Sequence, residues 1–105
     1  MKQDKQLIYI MRNENTNQYK IGISQNSHKR KQQLQTGNPN EIKLIYLCKI
    51  DPGIKAIDVE TIIHRYLKEK QKWIRGEWFS LTENEVFKIA KLLLDVGQNT
   101  KQINL

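Results

Sequence analysis

Glu60 and His64 are the first pair of side chains in this 105-residue chain whose types and spacing could do chemistry. Residues four apart share one face of a helix, so the carboxylate and the imidazole could reach one cation or one substrate. Carboxylate oxygens are ligands that Mg²⁺ prefers. Two structural interpretations stay open, because the helix dipole favours an acidic residue in a first turn and a lone histidine often hydrogen-bonds a neighbour at the core edge. No third His or Cys lies nearby to complete a zinc site, so zinc is disfavoured.

A run of basic residues, His28-Lys29-Arg30-Lys31, is the second candidate. A guanidinium fork binds two phosphate oxygens at once and stabilises the charge that grows on them in a transition state. Runs of charge are often only a solvated face. The run by itself therefore leaves nucleic-acid contact and plain solvation open.

Tyr9, Lys20 and Gly22 lie in two apolar, strand-like runs, Leu7 to Met11 and Tyr19 to Ile23. We expect the tyrosine hydroxyl at the sheet surface, where it would orient or deprotonate a water if a cation or a lysine lowers its pKa. The alternative is a core tyrosine with a polar tip. Lys20 would pair with a phosphate or help to activate Tyr9. Gly22 lets backbone or substrate approach closely, unless it is an ordinary bulge.

The elements that must position these residues begin with a β-hairpin, since turn-forming residues Asn13 to Asn17 join the two runs. The capping residues Ser24 to Ser27 precede a short basic helix, which is predicted from His28 to Gln35. A third strand is predicted from Lys43 to Ile50.

Two further helices follow. Apolar residues at helical spacing indicate the first, through about residue 70: Val59, Ile62, Ile63, Tyr66 and Leu67. A capping box of Thr82 and Glu85 begins the second, which ends near Gly97. Between them Trp78 to Leu81 is a short strand-like piece. The sequence thus predicts an α+β fold, with a small three-stranded antiparallel sheet flanked by about three helices, in one domain over residues 1–97 with a polar tail at 98–105.

Composition narrows the function classes. The chain is 38% hydrophobic and 28% charged, and no apolar run approaches the ~18 residues needed to span a bilayer. The polar N-terminus does not resemble a secretory signal, so we expect a cytoplasmic protein. Cys48 is the only cysteine, which excludes an internal disulfide and suggests core packing.

The net charge of +7 favours a polyanionic partner, with nucleic acid first and an anionic membrane surface a distant second. Residues 1–50 hold nine Lys/Arg against three Asp/Glu, so six of the seven surplus charges lie there. We therefore expect the phosphate-facing surface in the first half.

Ile8-Tyr9-Ile10 and Lys20-Ile21-Gly22, in this order of elements, resemble the GIY-YIG nuclease superfamily. Three segments resemble its phage-type subgroup: Tyr19 to Gly22, Leu34 to Pro39, and Gly76 to Phe79. The resemblance covers residues 7–81, and the pieces together are more specific than any one of them. Lys20 departs from the pattern, since the superfamily name implies a tyrosine there.

The resemblance implies a metal-dependent endonuclease that hydrolyses phosphodiester bonds in DNA with one Mg²⁺ or Mn²⁺ ion. It implies Glu60 as the metal ligand, Arg30 on the phosphate, and Tyr9 with Lys20 around the water. His64 joins the catalytic set, and Gly22 and Glu77 are accessory. Nucleic-acid contacts are expected from Lys20 and from His28, Lys29, Arg30 and Lys31. We expect a monomer with no small-molecule cofactor.

Two other functions stay open. One is a DNA-binding module of the same fold with little or no catalysis, which the Lys20 substitution favours. The other is an interaction protein of phage or mobile-element origin whose basic face contacts an acidic protein. Trp78 is expected in the core, whereas Trp73 either packs or stacks on exposed bases.

Overall fold

The structure is a computed structural model that describes residues 7–23 and 27–102. The predicted cap residues 24–26 lie outside this range. The elements, in chain order, are β1 Leu7–Asn13, β2 Gln18–Ile23, α1 Ser27–Gln35, β3 Ile42–Ile50, α2 Ala56–Glu69, β4 Trp73–Arg75, β5 Trp78–Ser80, α3 Glu83–Val96 and β6 Gly97–Gln102. The α+β class, the first hairpin and all three helices are confirmed.

The sheet is larger than predicted. Its strands are antiparallel and follow the order β4-β5-β2-β1-β3-β6, which makes six strands where we expected three. The expected three form its centre. β4 and β5 have three residues each, too few for a periodic signal.

The expectation of a polar tail after residue 97 is wrong over the residues that the structure describes. Gly97–Gln102 pairs with β3 as the outer strand β6. Its sequence lacks apolar alternation, yet backbone hydrogen bonds alone can hold an edge strand. Polarity was therefore a misleading signal at this end of the sheet.

The central strand β1 is buried on both faces because successive side chains point in opposite directions. Ile8 and Ile10 lie in a core cluster that also contains residues of α2 and α3. Tyr9 and Met11 lie on the other face, in a smaller cluster against which Leu34 of α1 packs. The sheet is thus covered by α2 and α3 on one face and by α1 on the other.

The two long helices follow their sequence patterns. Ile63 and Leu67 of α2 are buried, whereas Ile62 and Tyr66 are exposed. The Thr82 hydroxyl accepts from the Glu85 amide while the Glu85 carboxylate accepts from the Thr82 amide, so the predicted capping box is present. None of the helices in residues 7–23 and 27–102 has the length and apolar character needed to cross a bilayer.

Candidate active site

The candidate site lies at the sheet edge where β5 stops pairing with β2. The last paired residues are Lys20 and Trp78. Beyond them the Ile21 amide donates to the Glu77 carbonyl at 3.1 Å, and the Ile21 carbonyl meets Nε2 of His64 at 2.8 Å. Helix α2 therefore fills the place that a longer β5 would take, and brings its acidic and imidazole side chains to this edge.

Glu60 is an almost fully buried carboxylate on α2. Only 6% of the residue is exposed, and its Oε2 atom has no hydrogen-bond partner within the described part of the chain. Burial, followed by the neighbouring Glu77 carboxylate, raises the pKa of Glu60 from 4.5 to about 7, against the opposing effects of Lys20 and the Ile23 backbone. At neutral pH this carboxyl is therefore divided between its charged and neutral forms.

His64 is fixed by its neighbours. Because a carbonyl only accepts, Nε2 carries the hydrogen that points to Ile21, which leaves Nδ1 as the unprotonated nitrogen of the neutral ring. The ring packs on Phe79 with centroids 4.9 Å apart. Burial lowers the pKa of His64, so the ring is neutral at pH 7. The 4.0 Å approach of Nε2 to Oε2 of Glu60 is then not an ion pair.

Lys20 is buried on β2 and forms an ion pair with Glu77. Its Nζ lies 3.2 Å from Oε1 of Glu77 and 5.7 Å from the ring centroid of Trp78. The β4–β5 turn delivers Glu77, and Gly76 makes this turn possible because its φ of +53° lies in the left-handed region. The lysine that departs from the superfamily pattern thus has its own counter-ion, supplied by the late motif.

Tyr9 and Gly22 are paired across β1 and β2. A Cβ atom at Gly22 would stand 2.6 Å from the Tyr9 hydroxyl and 2.7 Å from Oε1 of Glu77, so the glycine lets both groups approach β2. The expected surface position of the hydroxyl is wrong, because Tyr9 is 1% exposed. Burial raises the pKa of Tyr9 to about 12, although the Arg30 guanidinium favours the ionised form.

The basic residues of α1 stand at the solvent side. Arg30 is exposed, and its guanidinium makes a long hydrogen bond of 3.5 Å to Gln33. Since it acts on the pKa of Tyr9, its guanidinium lies near the buried hydroxyl. Lys29 is exposed and Lys31 is half-buried. The side chain of His28 lies outside the described part of the structure.

The sequence model of the T5orf172 domain family matches residues 6–94, which is most of the chain. The chain belongs to this family. T5orf172 domains are phage-associated and related to endonucleases, which points to a nuclease or DNA-interacting function. Searches among curated proteins and among solved structures gave no significant match.

The donor atoms of this T5orf172 domain suit a hard cation held by few protein ligands. No group of three or more His, Cys, Asp or Glu side chains that could hold a metal ion occurs among residues 7–23 and 27–102. Two carboxylates, Glu60 and Glu77, do lie together, and one of them carries a buried oxygen without a partner. Mg²⁺ and Mn²⁺ accept oxygen ligands and keep several waters, so such a site fits them better than zinc.

Sequence reasoning did not find the partners that define this site. The pairing of Glu77 with Lys20 and the capture of His64 by the Ile21 carbonyl both depend on where β5 ends. The available signal was the turn at Gly76, which places an acidic residue immediately before a strand. That signal gives the position of the charge but not its partner.

Proposed function

We propose that this T5orf172 domain is a metal-dependent endonuclease of GIY-YIG type that hydrolyses phosphodiester bonds in DNA. The observation that carries the proposal is the buried, unpartnered carboxylate oxygen of Glu60 beside Tyr9, Lys20 and Glu77. Burial of polar groups without full hydrogen bonding lowers the stability of a fold, and groups in such surroundings cluster at binding and catalytic sites. The motif order and the phage-associated family support the same function.

Glu60 would hold one Mg²⁺ or Mn²⁺ ion, with Glu77 as the nearest second carboxylate. A divalent cation stabilises negative charge on phosphate and leaving oxygens. Ionised Glu60 is the form that binds a cation, and the raised pKa means that binding also releases a proton near neutral pH.

The remaining roles belong to the same proposal. Exposed Arg30 grips the phosphate oxygens from α1. Tyr9 is protonated at neutral pH, so its hydroxyl orients the attacking water rather than deprotonating it. Lys20 holds positive charge close to the Glu60 carboxyl, and Glu77 positions Lys20. In the reaction a water oxygen bonds to phosphorus, the bond from phosphorus to the leaving sugar oxygen breaks, and the water proton passes to solvent or a nearby base.

The second candidate function is DNA binding with little or no cleavage. It is favoured by one observation, namely that the lysine in the tyrosine position is engaged by Glu77. Affinity in this case would come from the basic residues around Arg30, and Glu60 would be dispensable.

Nicking of supercoiled plasmid separates the two candidates. The wild-type chain is incubated with Mg²⁺, with Mn²⁺ and with chelator, beside Glu60→Gln and Arg30→Ala. Removal of a group that stabilises the transition state lowers the rate about 100-fold or more. Asp95→Asn and Lys88→Ala, which change exposed charges on α3, serve as matched controls and should nick like wild type.

Nicking that persists in Glu60→Gln would contradict the assigned metal ligand. If the wild type does not nick but binds DNA with an affinity that falls steeply as salt rises, the second candidate is correct.

A further inference from the structure

Trp73 is an exposed indole held in one orientation beside the candidate site. It is 48% exposed, and its Nε1 donates to the Gly76 carbonyl at 2.9 Å. Nζ of Lys68 lies 5.0 Å from the ring centroid, within the range of a cation–π contact. An aromatic ring fixed in this way loses little conformational entropy when a ligand stacks on it.

Trp73 faces the same side of the sheet as the catalytic candidates on α2. It pairs with Phe79 across β4 and β5, and directly opposed residues of an antiparallel pair point to the same face. Phe79 in turn packs against His64. Phe79 therefore lies between His64 and the strand position of Trp73, so the exposed indole stands on the α2 side of the sheet.

A cavity of about 490 Å³ lies on the flank of α2. It is lined by His64, Arg65 and Lys68, together with Thr61 and the acidic Glu69. Lys68 lines this cavity together with His64, and its ammonium also lies over the Trp73 ring. The cavity thus connects two cations with His64 of the candidate active site, and Lys68 connects the cavity with the exposed indole.

We propose that Trp73, Lys68 and Arg65 bind an unpaired nucleotide of the DNA strand that is cut, next to the scissile phosphate. The inference rests on the proposed function and specifies its substrate class. A base stacks on the indole while the two cations contact the flanking phosphates. Bases within a duplex present only their edges in the grooves, so this surface selects DNA with an unpaired segment.

This surface also revises where DNA contact is expected. Residues 1–50 hold most of the surplus charge, but Arg65, Lys68 and Trp73 all belong to the second half. Together with Arg30 on the opposite side of the sheet, they give the site a basic group on each flank. A strand can then be held on both sides of the bond that breaks.

The test measures binding without cleavage. The full chain carrying Glu60→Gln is titrated, in chelator, with a fluorescein-labelled blunt duplex and with the same duplex bearing a single-stranded overhang. Stacking on one base predicts roughly 5- to 100-fold tighter binding of the overhang DNA. Trp73→Ala in this background should remove the preference, and Trp73→Phe should retain most of it.

Tyr66→Ala is the matched control. Tyr66 is, like Trp73, an exposed aromatic residue with a lysine over its ring, since Nζ of Lys70 lies 5.5 Å from the ring centroid. It belongs to α2, however, and lines a different groove between α2 and α3. Its loss should leave the overhang preference unchanged. A direct readout comes from Trp78→Phe, in which Trp73 is the only indole, since overhang DNA should quench its fluorescence.

Equal affinity for blunt and overhang DNA would overturn the inference, as would a Trp73→Ala variant that keeps the full preference. Plasmid nicking by the wild type is scored separately. If the wild type nicks plasmid but has no preference for overhang DNA, the proposed function stands and the inference about Trp73 is wrong. If the preference exists and depends on Trp73 but the wild type does not nick, only the proposed catalysis is wrong.

Discussion

Replacement of Glu60 by glutamine should stabilise the metal-free chain at alkaline pH and leave its stability nearly unchanged in acid. Burial and Glu77 raise the pKa of this carboxyl from 4.5 to about 7. A tenfold change in proton affinity corresponds to about 1.4 kcal/mol, so the difference in the pKa of Glu60 between the unfolded and the folded chain amounts to about 3 kcal/mol in the free energy of unfolding. The side chain is nearly inaccessible, so solvent screening reduces this figure little.

The sign follows from the two proton affinities. Below pH 4.5 the carboxyl is protonated in the folded and the unfolded chain, and its contribution to stability is fully present. Between 4.5 and about 7 only the unfolded chain releases the proton, so the free energy of unfolding falls as the pH rises. Above about 7 the loss is complete. Glutamine has no proton to lose and is therefore up to about 3 kcal/mol more stable than glutamate at alkaline pH.

The assay is urea unfolding in chelator at acid and at alkaline pH, for wild type, Glu60→Gln and the exposed control Asp95→Asn. Groups far from Glu60 titrate alike in all three chains and cancel in the difference, and Asp95→Asn gives the effect of removing an exposed carboxylate. A gap between Glu60→Gln and wild type that is the same at both pH values would refute the raised pKa.

The same experiment tests the metal ligand. A cation that binds only the folded state stabilises it in proportion to the logarithm of its concentration. Mg²⁺ should raise the unfolding midpoint of wild type at alkaline pH and leave that of Glu60→Gln unchanged. Equal stabilisation of both chains would show that the ion binds elsewhere.

Three further predictions concern the groups that support the site. Gly22→Ala should lower the free energy of unfolding by about 1–3 kcal/mol and abolish nicking, because there is no space for its Cβ atom. The control is Gly53→Ala, whose Cβ would lie no closer than 3.4 Å to its nearest neighbour, so its stability in urea and its plasmid nicking should equal those of wild type. Thr82→Ala removes the cap of α3 and should lower stability by about 1 kcal/mol in thermal or urea unfolding without altering the nicking rate. Glu77→Gln leaves the buried Lys20 without its counter-ion, so we expect slower nicking and a pH optimum that differs from that of wild type. An unchanged pH–rate profile would contradict the role of Glu77 in positioning Lys20.

The core of the fold could be predicted because its signals are local. Apolar, strand-like runs mark β1 and β2, helical spacing marks α2, and the Thr82 capping box marks the start of α3. The outer strands carry no such signal. β4 and β5 have three residues each, too few to establish an alternating pattern, and β6 is polar, so these strands are recognised only from their pairing with neighbouring strands.

The site was predictable as a set of positions but not as an arrangement. The resemblance selects Tyr9, Lys20 and Glu60, and the fold brings them together at one sheet edge. Burial is a tertiary property, however, and a strand-surface hydroxyl and a buried one have the same sequence. The raised pKa of Tyr9 therefore has no counterpart in the sequence, and neither does the Ile21 carbonyl that orients His64.

Lys20 and Glu77 are best understood as a pair. A buried ammonium without a counter-charge would be strongly destabilising. Glu77 supplies that charge, and its carboxylate adds to burial, the larger effect, in raising the pKa values of both Tyr9 and Glu60. Of the three acidic groups at this edge, Tyr9 and Glu60 thus tend to stay protonated until positive charge is added nearby. A cation at Glu60 would supply that charge, so the arrangement couples the ionisation of this edge to metal binding.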